Sequence, residues 1–302
     1  MIVEVFLRAF LLLSLSGVGW FLGKKLSLSS KDISALLVYV IAPLVIFYAI
    51  VQSPADWTFL KYSLAAFSLA TLMALVGMLF AKLFFRDSRV NLFGFAAGTG
   101  NTGYFALPLV LAIFDQQQIA IAIFIIIGVT LYEFTVGYFI TANGALSYKE
   151  SLLKVVKMPI IYAAALGMLC KYLGIQFGDI FLSFLVNFKG AYSVLGMMTI
   201  GITISQFAKL DMDWLFSCLA IAWKHFIYPV VALTLFIFII PVDQKTLQVI
   251  ALMAATPMAG NVVIIANNLG LHPEKAVTSV MLSTVFAIIT VPISLYFVLN
   301  YI

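Results

Sequence analysis

The sequence predicts an all-α membrane protein of ten transmembrane helices, set out as two inverted five-helix repeats in which helices four and nine are broken. Three observations lead there. Of 302 residues, 64% are hydrophobic and only 10% are charged, with a mean hydropathy of +1.14, whereas a soluble domain carries about 25% charge. A bilayer span takes about 20 apolar residues, so ten spans occupy roughly 200 positions and leave nothing for a soluble domain. Two of the apolar runs, the fourth and the ninth, are interrupted near their middles by Gly, Pro and Asn.

Runs almost free of charge place the spans near residues 2–22, 33–51, 59–84, 90–114, 118–142, 156–174, 184–206, 213–240, 246–268 and 275–300. The first run carries Glu4 and Arg8 at its start and Lys24-Lys25 after its end, the reverse of a cleaved signal peptide, so it reads as a retained span with its N-terminus outside. Gly23–Asp32, Asn143–Lys157 and Ala208–Asp213 are the clearest polar breaks, and none is long enough to fold alone. With ten spans, the inner loops hold Lys24, Lys25, Lys31, Lys82, Arg86, Arg89, Lys149, Lys154, Lys157, Lys209 and Lys275. The outer loops hold only Lys61, Lys171, Lys189 and Lys245. The excess of inner positive charge puts both termini outside. These cations are scattered in short loops, so the net charge of +5 orients the chain and is not a nucleic-acid surface. Cys170 and Cys218 lie in apolar runs without metal-ligand or CxxC spacing and read as packing residues.

Five spans followed by five spans make an odd-numbered repeat, whose halves must lie upside down relative to each other, as in many secondary transporters. A shift of 160 residues carries Gly100-Asn101 onto Gly260-Asn261 and span three onto span eight. Identity elsewhere is sparse.

The fourth span contains Gly98-Thr99-Gly100-Asn101-Thr102-Gly103, with Pro108 beyond. The ninth contains Thr256-Pro257-Met258-Ala259-Gly260-Asn261, followed by Asn267-Asn268. Gly costs about 1 kcal/mol and Pro about 3 in a helix interior, and non-helical backbone at membrane depth must find partners within the protein. Breaks at matching positions of two halves point to a midplane binding site, where half-helix N-termini offer amides to an anion. A single kink is commonly only packing; a pair with an Asn at each favours function. The candidate substrate-binding residues are Gly100, Asn101, Thr102, Gly103, Tyr104, Pro257, Gly260 and Asn261. The asparagines and Thr102 supply hydrogen bonds without charge, and Tyr104 adds a hydroxyl or packs. Gly98, Gly100 and Gly103 also spell GxGxxG, but the flanks are membrane helix and no acid follows at the required spacing, which excludes a dinucleotide site.

Glu133 in span five and Lys224-His225 in span eight lie near span centres, where a charge costs about 2.5–3.5 kcal/mol or more and calls for a partner or a function. Two readings stay open: a Glu133 to Lys224 ion pair that joins two helices, or roles in coupling and in attracting an anion. His225 points to a different face from Lys224 and suits either packing or proton coupling. Ser283 and Thr284 are secondary candidates, since such residues in membrane helices often satisfy their own backbone.

At these residues the chain resembles the auxin efflux carrier family of membrane transporters. The resemblance rests on Val40-Ile41-Ala42-Pro43-Leu44 with Phe47, Gly100-Asn101-Thr102-Gly103 through Leu107-Pro108-Leu109, Lys224 with Pro229, Pro257 to Asn261, and Ser283-Thr284 with Thr290-Val291-Pro292. It implies scaffold helices one and two (1–58) and six and seven (156–206). It also implies a transport domain of helices three to five (59–142) and eight to ten (213–302), with helices four and nine crossing at the substrate. An elevator-type movement of that domain against the scaffold, and a homodimer through scaffold helices, are implied with them. The long central loop of the plant exporters is missing, which favours a compact bacterial-type carrier in the inner membrane over one for auxin itself.

The expected function is therefore secondary active transport of small organic anions, carboxylates or auxin-like acids, with a channel or a membrane receptor for a small ligand as the alternative. No GxxxxGK[ST] phosphate loop occurs. No HExxH or central aspartate pair is found among the 12 acids, so an intramembrane enzyme is not expected. The expected partners are the substrate and the lipid bilayer. No cofactor or metal is expected, and the choice between H+ and Na+ as a coupling ion stays open.

Overall fold

The computed structural model describes residues 2–26, 28–142, 159–206 and 213–301, and among these it is helical without a strand. In chain order the helices are α1 (Ile2–Leu26), α2 (Ser30–Leu36), α3 (Ala42–Gln52), α4 (Leu60–Ala81), α5 (Arg89–Gly98), α6 (Leu107–Ile113), α7 (Gln116–Tyr132) and α8 (Tyr138–Thr141). They continue as α9 (Pro159–Tyr172), α10 (Asp179–Ser205), α11 (Trp214–Ala222), α12 (Tyr228–Thr234), α13 (Gln244–Ala254), α14 (Asn261–Leu269) and α15 (Pro273–Tyr301). Wider π-helical turns occupy Leu37–Ile41, Thr102–Ala106, Glu133–Gly137, Trp223–Ile227 and Leu235–Ile239.

Among the described residues, Trp57–Ala81, Gln116–Thr141, Asp179–Thr203 and Trp214–Ile239 are long and apolar enough to cross a bilayer. A bent pair, Pro273–Ala287 with Ile289–Val298 at 46°, brings the number to five. The bend lies four positions before Pro292, whose ring crowds that carbonyl and offers it no hydrogen. The chain is thus an apolar, all-helical membrane protein. Two expected boundaries move. Helix α10 starts at Asp179, ahead of residue 184, and Lys189, counted with the outer-loop cations although the span 184–206 includes it, lies well inside the helix. Helix α1 runs through the Gly23 break and takes Lys24 and Lys25 into its last turn, where cations meet the negative end of the helix dipole. The loop Asn143–Lys157 and most of Ala208–Asp213 lie outside the described residues.

The chain forms two compact units. The first comprises Met1–Lys61, Gly103–Ile127 and Val156–Ala208, and the second Tyr62–Thr102, Gly128–Val155 and Lys209–Ile302. In the first, α1 lies along α10 with main chains touching. A Cβ on Gly201 would fall 1.8 Å from the Ser16 carbonyl oxygen, and one on Gly19 would fall 2.1 Å from that of Met198. Ser16 Oγ uses the closeness to donate to the Met197 carbonyl at 3.0 Å. Lipid gives apolar helices little reason to associate, so close van der Waals contact and such hydrogen bonds hold them.

In the second unit, Tyr132 is fully buried against Ala70 and Ala74. Its ring stacks on Phe95 at 6.1 Å, and its hydroxyl is within 3.3 Å of the Gly94 and Phe95 carbonyls. Phe80, Phe93 and Trp223, on α4, α5 and the π turn after α11, pack on one another, Phe93 edge-on to Trp223 and Phe80 tilted against both. At one end of the unit, Asp213 accepts the Phe216 N–H at 3.1 Å and so caps α11. The same carboxylate meets Arg89 at 3.0 Å and Lys275 at 3.2 Å, joining the starts of α5, α11 and α15. Arg89 also forks onto Asp87 and stacks over Phe85. Its guanidinium holds Asp87 down to about 2. Burial alone would raise Asp213, but the Phe216 N–H, Lys275 and Arg89 outweigh it and the net shift is downward.

Two outcomes follow from this packing. Gly201→Leu forces α1 from α10 and lowers the thermal unfolding temperature of detergent-purified protein, by a destabilisation of at least about 1–3 kcal/mol. Asp213 is stabilised in its ionised form, so its contribution is present above the ordinary carboxylate range near 4 and is lost as pH falls below it. Asp213→Asn therefore costs about 1–2 kcal/mol at pH 7 and flattens the acid side of a stability-against-pH profile.

Candidate functional site

Helix α5 stops at Gly98, and Thr99 turns extended at φ −94°, ψ 164°. Close approach explains the glycine at position 100: a Cβ there would lie 2.6 Å from Thr256 Oγ1 and 3.0 Å from Lys224 Nζ. Deprived of a helical acceptor, the Asn101 N–H donates to the Pro257 carbonyl at 2.7 Å, and the Thr102 N–H turns back to Gly100 at 2.7 Å. The helix resumes as the π turn Thr102–Ala106.

The second interruption separates α13, ending at Ala254, from α14, beginning at Asn261. Thr256 Oγ1 donates to the Met253 carbonyl at 2.8 Å. Met258 N–H donates to Ser283 Oγ on α15 at 2.9 Å. The Val262 and Val263 amides turn back to Ala259 and Gly260. Several amides that the interruptions free from helical bonding thus already have acceptors.

Three of the five π turns carry the ionisable or polar candidates: Thr102, Gly103 and Tyr104 on one, Glu133 on another, Lys224 and His225 on a third. Such a turn inserts an extra residue and re-aims the side chains beside it. Glu133, 5% exposed, accepts from Thr99 Oγ1 and from Asn261 Nδ2 at 2.7 Å. Lys224, 2% exposed, sets its ammonium 3.9 Å over the ring of Tyr228, one helical turn on. Its attraction to Glu133 acts from beyond hydrogen-bond range. The ammonium also stands beside Gly100, 3.0 Å from where a Cβ on that glycine would lie. His225 bonds on both sides, Nδ1 to Thr290 Oγ1 and Nε2 to Ser283 Oγ, each at 2.8 Å.

Within the second unit, Gly100, Asn101, Pro257, Asn261, Glu133 and Lys224 therefore converge, with Thr102 adjoining them and His225 reaching them through Ser283. Gly260 is exposed, with open space where its Cβ would be. Gly103 and Tyr104 belong to the first unit. There a Cβ on Gly103 would lie 3.6 Å from the Tyr192 hydroxyl, and the Tyr104 carbonyl lies beside Gly196. Sequence reasoning passed over Thr99, Thr256 and Tyr228. Only Tyr228, four positions after Lys224, carried a local signal, the i to i+4 spacing of one helix face.

Apolar helices long enough to cross a bilayer define an integral membrane protein, and the family match places it in the transport class. The chain belongs to the family described as membrane transport protein, the auxin efflux carriers, whose profile matches residues 5–295. It is also 23% identical, over 281 residues and 90% of both chains, to an uncharacterized transporter of Methanocaldococcus jannaschii.

Glu133→Ala strands the Thr99 hydroxyl and the Asn261 amide and lowers stability by about 2–3 kcal/mol. Glu133→Gln keeps one acceptor oxygen and loses less. Thermal unfolding of the purified variants reads the difference; equal losses would contradict the acceptor role.

Proposed function

We infer that the chain is a secondary active transporter of small organic anions, carboxylates or auxin-like acids, working by alternating access of the elevator type. The observation that carries the reading is Lys224. Its side chain is 2% exposed and its ammonium lies over the Tyr228 ring; burying an ammonium costs several kcal/mol in a low-dielectric interior, and an anion that arrives beside it offsets that cost. It stands against Gly100 and Thr256, so a carboxylate there also reaches the polar groups at both interruptions. Glu133 already receives two donors, Thr99 and Asn261, which softens its repulsion of an incoming anion.

The reading extends to ten spans in two inverted halves, with 59–142 and 213–302 as the moving domain and 1–58 and 156–206 as the scaffold. The two interruptions are taken as the breaks of crossing helices four and nine. What supports it is that the bonded residues of both interruptions lie in one compact unit, as a site that travels as a body requires. An inner-membrane location with outward termini, a homodimer, and coupling to H+ or Na+ belong to the same proposal.

Counterflow in proteoliposomes tests it. Preloaded succinate or benzoate should accelerate uptake of the labelled compound, and the recovered solute should be chemically unchanged. Lys224→Gln should weaken apparent affinity about 10–100-fold, the loss of a hydrogen bond to a charged group. Asn101→Ala and Asn261→Ala should abolish binding in protein that still elutes as a single species. Wild-type affinity in Lys224→Gln would remove the anion site.

A further inference from the structure

Pro257 C=O and Met258 N–H belong to one peptide group, which is planar, with the two bonds pointing in opposite directions. Both edges of this plane are held. On one side the carbonyl receives the Asn101 N–H at 2.7 Å. On the other the N–H donates to Ser283 Oγ at 2.9 Å. Rotating the plane to lose one contact loses the other, so whatever orients Ser283 also orients the acceptor that holds the first interruption.

Beyond Ser283, the order of donors can be followed proton by proton. Thr290 Oγ1 has one hydrogen and donates it to the Phe286 carbonyl at 3.3 Å, a turn back along α15. With that proton so used, it presents a lone pair to His225 Nδ1 at 2.8 Å, an arrangement that assigns the N–H to Nδ1. A neutral ring has only one N–H, so Nε2 is bare and accepts the Ser283 hydroxyl at 2.8 Å. Ser283 keeps its lone pairs for Met258. The chain runs in one direction from Asn101 N–H to Phe286 C=O, and each bond polarises the next. Phe286 also stacks edge-on against the His225 ring, with centroids 5.3 Å apart, and so fixes its plane. With a proton on Nε2 as well, the ring would push its N–H against Ser283, whose own hydrogen would then lose its acceptor.

We propose that His225, held as the neutral Nδ1–H tautomer, is a positioning residue for the second interruption. Through Ser283 it fixes the Pro257–Met258 peptide, and that peptide in turn holds Asn101. His225 is thus a structural arm of the candidate site and not a carrier of protons through it. The consequence for transport rests on the carrier reading above; the hydrogen-bond chain does not.

The chain has two histidines, so His272→Gln leaves His225 alone for 15N spectroscopy of histidine-labelled protein in lipid nanodiscs at pH 7. The expected spectrum has a protonated Nδ1 and a bare Nε2. An Nε2–H tautomer or an imidazolium overturns the proposal. Amide hydrogen exchange gives the second measurement. Ser283→Ala and His225→Ala should speed exchange at Met258 and Asn101 about tenfold, the loss of roughly one hydrogen bond. Thr284→Ala, whose hydroxyl donates to the Val280 carbonyl, should leave both amides unchanged. Amides of α1 and α10 in the other unit serve as the folding control: where they keep wild-type protection, unchanged exchange at Met258 in Ser283→Ala overturns the proposal. Where Ser283→Ala disturbs the control amides, His225→Ala is read instead, and unchanged exchange at Met258 in that variant with the control amides protected overturns it. Neither measurement needs a transported solute, so a failure here and a failure of counterflow are told apart.

Discussion

The Asn101 amide, donating to the Pro257 carbonyl, is the bond on which the interior of the second unit depends. Asn101 is buried, and an amide released from a helix in a protein interior costs free energy unless it finds an acceptor. Two helix ends that meet in a buried place can each supply what the other has lost. Here the first interruption gives the donor and the second the acceptor. The glycine at position 100 is what lets the two approach, since any larger residue would meet Thr256 and Lys224 first. The same bond transmits position: anything that fixes the Pro257–Met258 peptide also fixes Asn101.

Around this bond the charged groups are arranged by local helix geometry as much as by contact. Glu133 and Lys224 each sit on a turn wound more loosely than an α-helix. The unwinding rotates a side chain away from the regular 3.6-residue pattern and toward the interruptions. The acid is matched by two neutral donors, the ammonium by an aromatic face and a longer-range attraction.

Away from the site, the two units are held by different means. In the first, small residues let α1 and α10 press main chain on main chain. In the second, a carboxylate outside the spans gathers Arg89 and Lys275 and caps a helix at the same time. A clamp of this kind ties together the loops of a body that has to keep its interior register. The aromatic packing of Phe80, Phe93 and Trp223 continues it toward the π turn that bears Lys224.

Much of this was legible in the residues alone, because lipid imposes one dominant rule on composition. Long apolar runs must be helices, and their limits were readable to a few positions, as with 118–142 against Gln116–Thr141. Gly100-Asn101 and Pro257 fall in non-helical stretches just after the helices that end at Gly98 and Ala254, since Gly and Pro weaken a helix wherever they occur. Loop cations were less secure: Lys189 proved to lie within a helix, because an apolar helix extends past a lysine that can reach along its own stem. What the amino acids could not disclose was pairing. Glu133 turned to Thr99 and Asn261, and His225 to Ser283 and Thr290, partners 34 to 128 positions away in the chain. Such choices depend on distances of a few tenths of an ångström and on looser turns with no sequence mark of their own. Burial and helical form were thus set by solubility in lipid; which donor meets which acceptor was decided only when the helices packed.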